Sequence, residues 1–233
     1  MATQSRSGRP RASSREVLSE AACELFLERG YHATSVSDIT RRAGVSRSSF
    51  FNYFDGKADV LWGGLDQRIL ALTTRLRDDE EDDEHPDAAV RAAVQALAED
   101  FRPDSLALAF GQAEAMGVVE ELLREGALRQ ARLAAVVAER LRAAGVDGLR
   151  ADVVGAAYGG AVLAAIQRWA VAGAGRTMLE SLLSRALEAV PAAMPARERG
   201  SRVPGDEPGH RPSSRSDGGD PTGERATGDD APA

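Results

Sequence analysis

The sequence predicts an all-α protein with a small helical domain at the N-terminus and a larger helical domain behind it. Apolar residues recur every three or four positions over most of the chain before its C-terminal segment, which is the period of an amphipathic helix. No stretch alternates β-branched and polar residues as a half-buried strand does. Glycine and proline interrupt the helical pattern repeatedly and divide the chain into separate helices.

The first helix has a recognisable beginning and end. Ser13 and Glu16 have the spacing of a capping box, in which each side chain accepts a hydrogen bond from the backbone of the other. Gly30 follows the last turn, where a residue in the left-handed conformation commonly ends a helix. The apolar face between them consists of Val17, Leu18, Ala21, Ala22, Leu25 and Phe26.

Two shorter helices follow, joined by a tight turn. Ser35 and Asp38 repeat the capping-box spacing and open the second helix. Gly44 supplies the positive φ that the turn requires, and Ser46 can cap a third helix over residues 47–53. A helix-turn-helix of this kind places its second helix in the major groove of DNA. The pattern therefore predicts a protein that reads DNA sequence rather than a catalyst.

The N-terminal sequence also resembles the DNA-binding domain of TetR-type transcriptional regulators. The similarity runs without a gap through Ala-Ala-x-Glu-Leu-Phe-x-Glu-Arg-Gly-Tyr at 21–31, Thr-Ser-Val-x-Asp-Ile at 34–39, Arg-Ala-Gly-Val-Ser at 42–46 and Phe-x-Tyr-Phe-x-x-Lys at 51–57. The resemblance implies a homodimeric repressor that binds a pseudo-palindromic operator on double-stranded DNA and leaves it when a small-molecule effector binds. The chain departs from the family pattern at Phe51, which lacks the hydroxyl that a tyrosine would offer to a phosphate.

The candidate DNA contacts are polar and cationic side chains in and just after the helix-turn-helix. Arg47 begins the third helix and carries the guanidinium fork that suits guanine O6 and N7. Lys57 is the only lysine in the sequence, and in the family the matching lysine contacts a phosphate. A residual lysine in an arginine-rich sequence is the alternative. The full set is Thr34, Ser35, Arg42, Ser46, Arg47, Ser48, Ser49, Asn52, Tyr53 and Lys57.

Four of the six phenylalanines lie in this small domain. Phe26, Phe50 and Phe54 are expected to form its core, because a domain of this size has few other large apolar side chains. Phe51 can belong either to the core or to the surface that faces DNA. Tyr53 is the better candidate for a phosphate contact, since its hydroxyl is a hydrogen-bond donor.

The charge of the chain is unevenly distributed. The formal net charge is −7, yet residues 1–60 carry nine basic and seven acidic side chains, so the N-terminal end is the one that faces DNA. We divide the chain into a flexible basic arm (1–13), a helix-turn-helix domain (14–60), an effector-binding and dimerisation domain (61–192) and a disordered polar tail (193–233). The arm either reaches DNA, as the resemblance implies, or only solubilises the chain.

Helical periodicity continues through the larger domain. A long fourth helix extends to about Arg77 and is followed by seven consecutive acidic residues, 78–84, which are typical of a solvated loop. A metal site is the alternative, although no ligand spacing supports it. Further helices are predicted at 87–101, 104–113, 115–124, 126–144, 150–172 and 175–190.

Residues 150–172 are unusually rich in glycine and alanine for a helix. Each glycine costs roughly 1 kcal/mol of helix stability relative to alanine, so the close approach of another helix is needed to offset that cost. The resemblance implies that this helix and the next one, which carries Leu179, Leu182, Leu183 and Leu187, pair with their symmetry mates in a homodimer. A close contact within one subunit is the alternative.

The larger domain is expected to bind the effector in an apolar core with a few polar groups, as small-molecule pockets typically have. We predict an apolar or amphipathic effector near Phe110, Gln112, Met116, Tyr158, Gln167 and Trp169. Trp62, Trp169, the spacing Trp-x-x-x-Asp at 62–66 and Ala-Glu-Arg-Leu at 138–141 are similar to regulators of the mycofactocin system, which favours an acyl-thioester or other lipid-like effector. A DNA-binding or scaffolding helical protein without an effector is the alternative function.

Other function classes find little support in the sequence. The three histidines are far apart, and no glycine-rich phosphate loop or nucleophile motif is present, so we predict no catalytic residues, no metal and no cofactor. Cys23 is the single cysteine and is expected to be buried. The polar N-terminus and the longest apolar run, 153–166, which is shorter than the roughly 20 residues of a membrane span, predict a cytoplasmic, nucleoid-associated protein.

Overall fold

The computed structural model describes residues 14–78 and 85–193, and every regular element in these two stretches is helical, which confirms the all-α fold class. A 3₁₀ turn, Ala96–Ala98, lies between the fifth and sixth helices. The helices are α1 (Ser14–Arg29), α2 (Val36–Ala43), α3 (Arg47–Phe51), α4 (Asp59–Asp78), α5 (Pro86–Gln95), α6 (Ser105–Gly111), α7 (Ala113–Met116), α8 (Val119–Ala143), α9 (Gly148–Val171) and α10 (Leu179–Glu188). The predictions for Ser13, the basic arm, the acidic residues after Asp78 and the tail beyond residue 193 lie outside the described residues.

The second helix begins and ends where its sequence predicts. The Ser35 hydroxyl accepts a hydrogen bond from the Asp38 N–H at 3.2 Å, and the Asp38 carboxylate accepts one from the Ser35 N–H at 3.0 Å. Gly44 ends the helix in the left-handed conformation with φ +68°. Its N–H donates to carbonyls of the last turn, so the capping box and the glycine together confine α2 to two turns.

The third helix starts as predicted but is shorter. The Ser46 hydroxyl accepts a hydrogen bond from the Ser49 N–H at 3.0 Å, which caps α3 at its N-terminus. The prediction that the helix reaches residue 53 is wrong, because the N–H groups of Tyr53 and Phe54 both donate to the Phe50 carbonyl at 3.0 Å. The chain therefore turns at this point.

The fourth helix connects the helix-turn-helix to the remaining helices. It packs against α1 on one side and against α6 and α8 on the other. Its first residue, Asp59, accepts a hydrogen bond from the Gly56 N–H at 2.8 Å, which ties the preceding loop to the helix start. Its buried face is formed by Val60, Leu61, Trp62, Gly63, Leu65, Ile69, Leu72 and Leu76.

The eighth helix is longer than the sequence analysis predicts. Separate helices at 115–124 and 126–144 are wrong, because α8 continues through Gly126 without a break. This glycine faces Trp62, and a Cβ added there would lie 3.4 Å from the indole ring. Gly126 therefore serves the packing of α4 on α8. The break occurs earlier, at Gly117, whose φ is +65°.

The ninth helix packs closely on α8 of the same subunit. A Cβ at Gly159 would lie 2.6 Å from the Gln130 carbonyl oxygen, and one at Gly155 would collide with the Ala134 carbonyl. The close contact within one subunit is thus the correct interpretation for Gly155 and Gly159, which face α8 and not a symmetry mate. The two backbones can approach this closely only because no side chain lies between them.

By length and composition alone, α9 is the one described helix that could cross a membrane. Its inward face, however, lies in the protein core, with Val154, Tyr158, Val162, Ile166 and Trp169 all buried. It packs against α6, α8 and α10. An apolar helix surrounded in this way is the central helix of a helical bundle, and its composition reflects burial by protein.

The tenth helix and the residues after it complete the core. Leu179, Leu183 and Leu187 are buried, and Leu182 is half-buried at the edge of the same core. Ala193 is also buried, and its N–H donates to the Asp87 carboxylate at 2.8 Å. Residue 193, the predicted first residue of the tail, therefore belongs to the folded part of the chain.

The packing of α9 on α8 predicts opposite effects for two adjacent glycines. Gly159→Ala should destabilise the protein by roughly 1–3 kcal/mol, because its methyl group meets a backbone carbonyl that cannot move aside. Gly160→Ala is the matched control, since its Cβ would meet only the Gln130 amide at 3.6 Å. It should gain up to about 1 kcal/mol of helix propensity. Denaturant unfolding at equal protomer concentration measures both, and equal effects would contradict the assigned faces.

Candidate nucleic-acid interface

The outer surface of α3 and the turn after it carry a group of exposed polar side chains. Arg47, Ser48, Asn52 and Tyr53 are exposed, and Ser49 is half-buried. The Ser46 hydroxyl lies 2.8 Å from the hydroxyls of both Ser48 and Ser49, so the start of the helix is held by its own serines. The surface is therefore rigid at its N-terminal end and polar along its length, as a helix that reads base edges needs to be.

Arg47 is the cation of this surface that remains free for a partner. In the described part of the chain no carboxylate lies within ion-pair distance of it, whereas Arg41 and Arg42 both form ion pairs. Its guanidinium carbon lies 5.6 Å from the centroid of the Phe51 ring. Phe51 is 47 % exposed, so it belongs to the surface, and its ring makes a cation–π contact with Arg47.

The other three phenylalanines of the domain confirm the predicted core. Phe26, Phe50 and Phe54 are each at least 97 % buried. The rings of Phe50 and Phe54 lie 5.4 Å apart, and the Arg15 guanidinium lies 5.0 Å from the centroid of Phe54. This small core fixes α3 relative to α1 and α2.

Arg42 connects two helices of the domain. Its guanidinium contacts the Glu24 carboxylate at 3.0 Å and the Glu28 carboxylate at 2.7 Å, which joins α2 to α1. The hydrogen bond from Arg42 lowers the pKa of Glu28. These bonds use three of the five N–H donors of Arg42, so a DNA contact at Arg42 stays a prediction.

Thr34 lies in the core and not on the surface. Its side chain is only 2 % exposed, and its hydroxyl donates to the Gly30 carbonyl at 2.9 Å. Thr34 was a candidate DNA contact, but in the structure its hydroxyl bonds to the backbone at the C-terminal end of α1. Ser35 is exposed, but its hydroxyl is part of the cap of α2.

Lys57 has a positional role that explains why a lysine stands here. Its ammonium group donates to the carbonyls of Tyr31 at 2.6 Å and Thr34 at 3.0 Å and lies 4.0 Å from the centroid of the Tyr31 ring. Burial lowers the pKa of the lysine. Two of its three N–H donors thus hold the segment between α1 and α2 to the start of α4, which leaves one donor for a phosphate.

Tyr31 is a residue of this region that the sequence analysis did not single out. Its N–H donates to the Met116 carbonyl at 2.8 Å, which links the helix-turn-helix directly to the end of α7. Burial and the nearby Glu121 carboxylate raise the pKa of its phenol. The glycine-tyrosine pair at the end of α1 was the available signal, since it placed an aromatic side chain just after a helix end.

The six residues predicted for the effector pocket do not surround one open cavity. Met116, Tyr158 and Trp169 are buried, and Phe110 is half-buried. The Trp169 indole donates to the Thr177 carbonyl at 2.9 Å, and its ring meets Phe101 edge-on at 5.4 Å. Gln112 and Gln167 are exposed, because the first caps α6 and the second lies on the outer face of α9. The structure therefore does not support these two amides as buried polar groups.

Concave space occurs elsewhere in the described structure, and two of these places matter for a ligand. A groove of about 750 Å³ lies between α1, α4 and the start of α6, and its lining includes Glu16, Glu20, Glu24 and Asp104. A much smaller cavity, about 10 Å³, lies in an apolar seam formed by Leu65, Leu97, Ala98, Phe101, Val162, Ala165, Ile166, Leu179 and Leu183. We call this second region the apolar seam. It adjoins Trp169 through Phe101.

The fold and this surface define a helix-turn-helix DNA-binding protein with a larger helical domain. Residues 18–61 match the family described as bacterial regulatory proteins, tetR family. This match confirms the resemblance of residues 21–57 to the DNA-binding domain of TetR-type regulators.

Relatives of the chain are transcriptional regulators as well. The chain is 34 % identical over 97 residues to MftR of Mycobacterium tuberculosis, named as a putative mycofactocin biosynthesis transcriptional regulator. The aligned residues are 42 % of this chain and 48 % of MftR. It is 32 % identical over 96 residues to the transcriptional activator FasR of Mycolicibacterium smegmatis. That alignment spans 41 % of this chain and 44 % of FasR. The chain thus spans about half the length of these curated relatives.

A solved structure is similar over most of the chain. FadR of Thermus thermophilus, described as a TetR-family transcriptional repressor in complex with lauroyl-CoA, is 28 % identical with a TM-score of 0.50. The match covers 82 % of this chain and 99 % of that one. The similarity therefore extends beyond the helix-turn-helix into the larger helical domain.

The exposed position of Arg47 predicts that it reads a base. Arg47→Ala should lose roughly 1–3 kcal/mol on the selected operator and relax the preference at one position. Arg41→Ala is the matched control, because it removes the same charge from an exposed arginine of α2 that is paired with Asp38. Binding titrations on the operator and on its single-base variants distinguish the two. A loss that is equal on every sequence would make Arg47 a phosphate contact only.

Proposed function

We propose that the protein is a homodimeric, effector-responsive transcriptional repressor that binds a pseudo-palindromic operator on double-stranded DNA. The observation that carries this proposal is the exposed surface of α3, with a free Arg47 at its start, on a domain that matches the tetR family over residues 18–61. The remaining candidate contacts on that surface are Ser46, Ser48, Ser49, Asn52, Tyr53 and the third donor of Lys57. We place this function in the cytoplasm, at the nucleoid.

A homodimer is supported by the outer face of α9. Leu149, Val153, Gly160, Ala164 and Val171 fall on one stripe of the helix, on the side opposite to the buried residues. Leu149, Val153 and Val171 are each more than half exposed. Ala164 and Leu182 line a shared groove of about 720 Å³ between α9 and α10. A two-fold axis along this stripe requires half-sites spaced by roughly 34–36 Å or a multiple of that distance.

The dimer predicts a specific response to a charge on this stripe. Ala164→Arg should convert the dimer to a monomer and abolish tight operator binding, because the two-fold axis brings the new arginines together. Ala71→Arg is the control, since Ala71 is an exposed alanine on α4. Light scattering at micromolar concentration measures the mass. A monomeric wild-type protein, or equal behaviour of the two variants, would refute the dimer through α9 and α10.

We propose an apolar or amphipathic effector that bears an acyl chain. FadR of Thermus thermophilus, which matches most of this chain, was crystallised with lauroyl-CoA. The apolar seam is lined entirely by apolar side chains and adjoins the predicted pocket residue Trp169. Its cavity of about 10 Å³ holds no ligand of that size, so binding has to separate the helices that line it. Such a separation would change the spacing of the two reading helices.

Lauroyl-CoA should therefore lower the affinity for the operator, by a factor of roughly 5–150. Free coenzyme A is the control, because it lacks the acyl chain that the apolar seam would bury. Fluorescence anisotropy with a labelled operator measures the affinity, and a thermal shift reports binding independently. If only metal ions or inorganic anions stabilise the protein and release DNA, the proposed effector class is wrong.

A DNA-binding or scaffolding protein without an effector is the second candidate. The closed apolar seam favours it, since the described core contains no space for a ligand there. The same titration decides between the two functions, because a protein without an effector binds its operator equally in the presence of every acyl-CoA tested. The division into a DNA-binding domain (14–60) and an effector-binding domain (61–192) is part of the first proposal.

A further inference from the structure

Arg129 brings a positive charge into the contact between α8 and α4. Its side chain is 2 % exposed, and its guanidinium contacts the carboxylates of Asp59 at 3.2 Å and Asp66 at 2.8 Å. It also contacts Glu125 of its own helix at 2.5 Å. A buried arginine that loses its carboxylates is strongly unfavourable, whereas the Asp59 and Asp66 carboxylates are 29 % and 28 % exposed and keep contact with solvent. These groups therefore hold α4 in one position on α8.

The two aspartates lie on the same face of α4, seven residues and two turns apart. Asp59 is the first residue of the helix, and its second carboxylate oxygen accepts the hydrogen bond from the Gly56 N–H at 2.8 Å. The loop between α3 and α4 is therefore attached to the same carboxylate that Arg129 holds. Lys57, the next residue of that loop, donates to the Tyr31 and Thr34 carbonyls. Polar contacts thus run without a gap from α8 to the segment before α2.

The other side of Arg129 faces Trp62 and, beyond it, Phe110, one of the residues predicted for the effector pocket. Its guanidinium carbon lies 4.7 Å from the ring centroid of Trp62, and that ring meets Phe110 edge-on at 5.9 Å. Trp62 is fully buried and also packs on Gly126 of α8. A ligand that displaces Phe110 therefore has to shift the Trp62 ring. Since the ring supports the guanidinium, this shift changes the position from which Arg129 holds the aspartates.

We propose that Arg129, Asp59 and Asp66 form a latch that couples the effector region to the orientation of the reading helix α3. Arg129 does not touch DNA in this arrangement; it acts through Asp59 and the loop that Asp59 holds, so it is a positioning residue. The regulatory meaning of the latch rests on the proposed function. Its mechanical part, the dependence of the loop on a distant carboxylate, can be tested without any effector.

Asp66→Asn in the full chain tests the mechanical part. The substitution keeps the shape of the side chain and leaves Arg129 with Asp59 and Glu125, so the fold is retained. Hydrogen exchange of residues 52–58 should become about tenfold faster, although Asp66 lies two helical turns away. Arg132→Gln is the matched control, because Arg132 is exposed and approaches the same carboxylate at 3.9 Å from outside. Unchanged exchange in Asp66→Asn, or equal acceleration in both variants, overturns the latch.

The regulatory part is tested with lauroyl-CoA and the selected operator. In the wild-type protein lauroyl-CoA should weaken operator binding, and in Asp66→Asn this fold-change should shrink toward one. If exchange accelerates but the fold-change equals that of the wild type, the latch positions the loop without carrying the coupling, and our proposal is wrong. If lauroyl-CoA has no effect on the wild type, the proposed effector class fails, while the exchange experiment still decides the latch.

Discussion

The helix-turn-helix is too small to hold its shape alone, and the rest of the structure follows from this constraint. A three-helix unit of this length buries a small fraction of its surface by itself, since the buried share falls with size. Leu18, Leu25 and Phe26 of α1 are nevertheless at most 1 % exposed. Their burial depends on α4, α6 and α7, which pack against α1. The reading surface is therefore oriented by the larger domain and cannot rotate without disturbing α1.

Electrostatic contacts strengthen the same connection. Arg42 and Lys57 both lie in the segment that the family pattern covers. Both use N–H donors for hydrogen bonds within the protein. Arg42 joins α2 to α1, and Lys57 joins the start of α4 to the loop before α2. Arg47 is left as the exposed cation at the start of α3. This division is physically sensible, because a reading arginine can be specific only if the helix that carries it is held rigidly.

Local signals in the sequence were sufficient for the fold class and for the small domain. Ser35, Gly44 and Ser46 act on backbone groups within a few residues, so their caps could be predicted from spacing alone. The reading surface on α3 followed from those caps. Thr34 could not be placed in this way, since its burial depends on where α1 ends in three dimensions. The role of Arg42 depends likewise on a neighbouring helix.

The larger domain was harder to predict because its signals are long-range. Two helices were predicted at 115–124 and 126–144, whereas α8 continues through Gly126, which packs against Trp62 of α4. The residues predicted for the effector pocket could not be placed correctly for a similar reason. Apolar periodicity identifies residues that face inward, but it does not show whether they leave a space or fill it. Trp169 faces inward and fills the core against Phe101.

The glycines of α9 show how one helix can serve two partners. Gly159 and Gly160 are adjacent, yet a rotation of about 100° per residue places them on different faces. The first allows the α8 backbone to approach, and the second lies on the outer stripe.

Close packing makes the α8–α9 pair a rigid frame, because neither helix can move toward or along its neighbour without a collision between the two backbones. Any movement caused by the proposed effector would therefore have to be taken up on the other side of α8, where α4 is held by the charges of Arg129 and by the ring of Trp62. Contacts between charged groups and a single ring can be exchanged with less reorganisation than a backbone interface, and α4 leads directly to the reading helix.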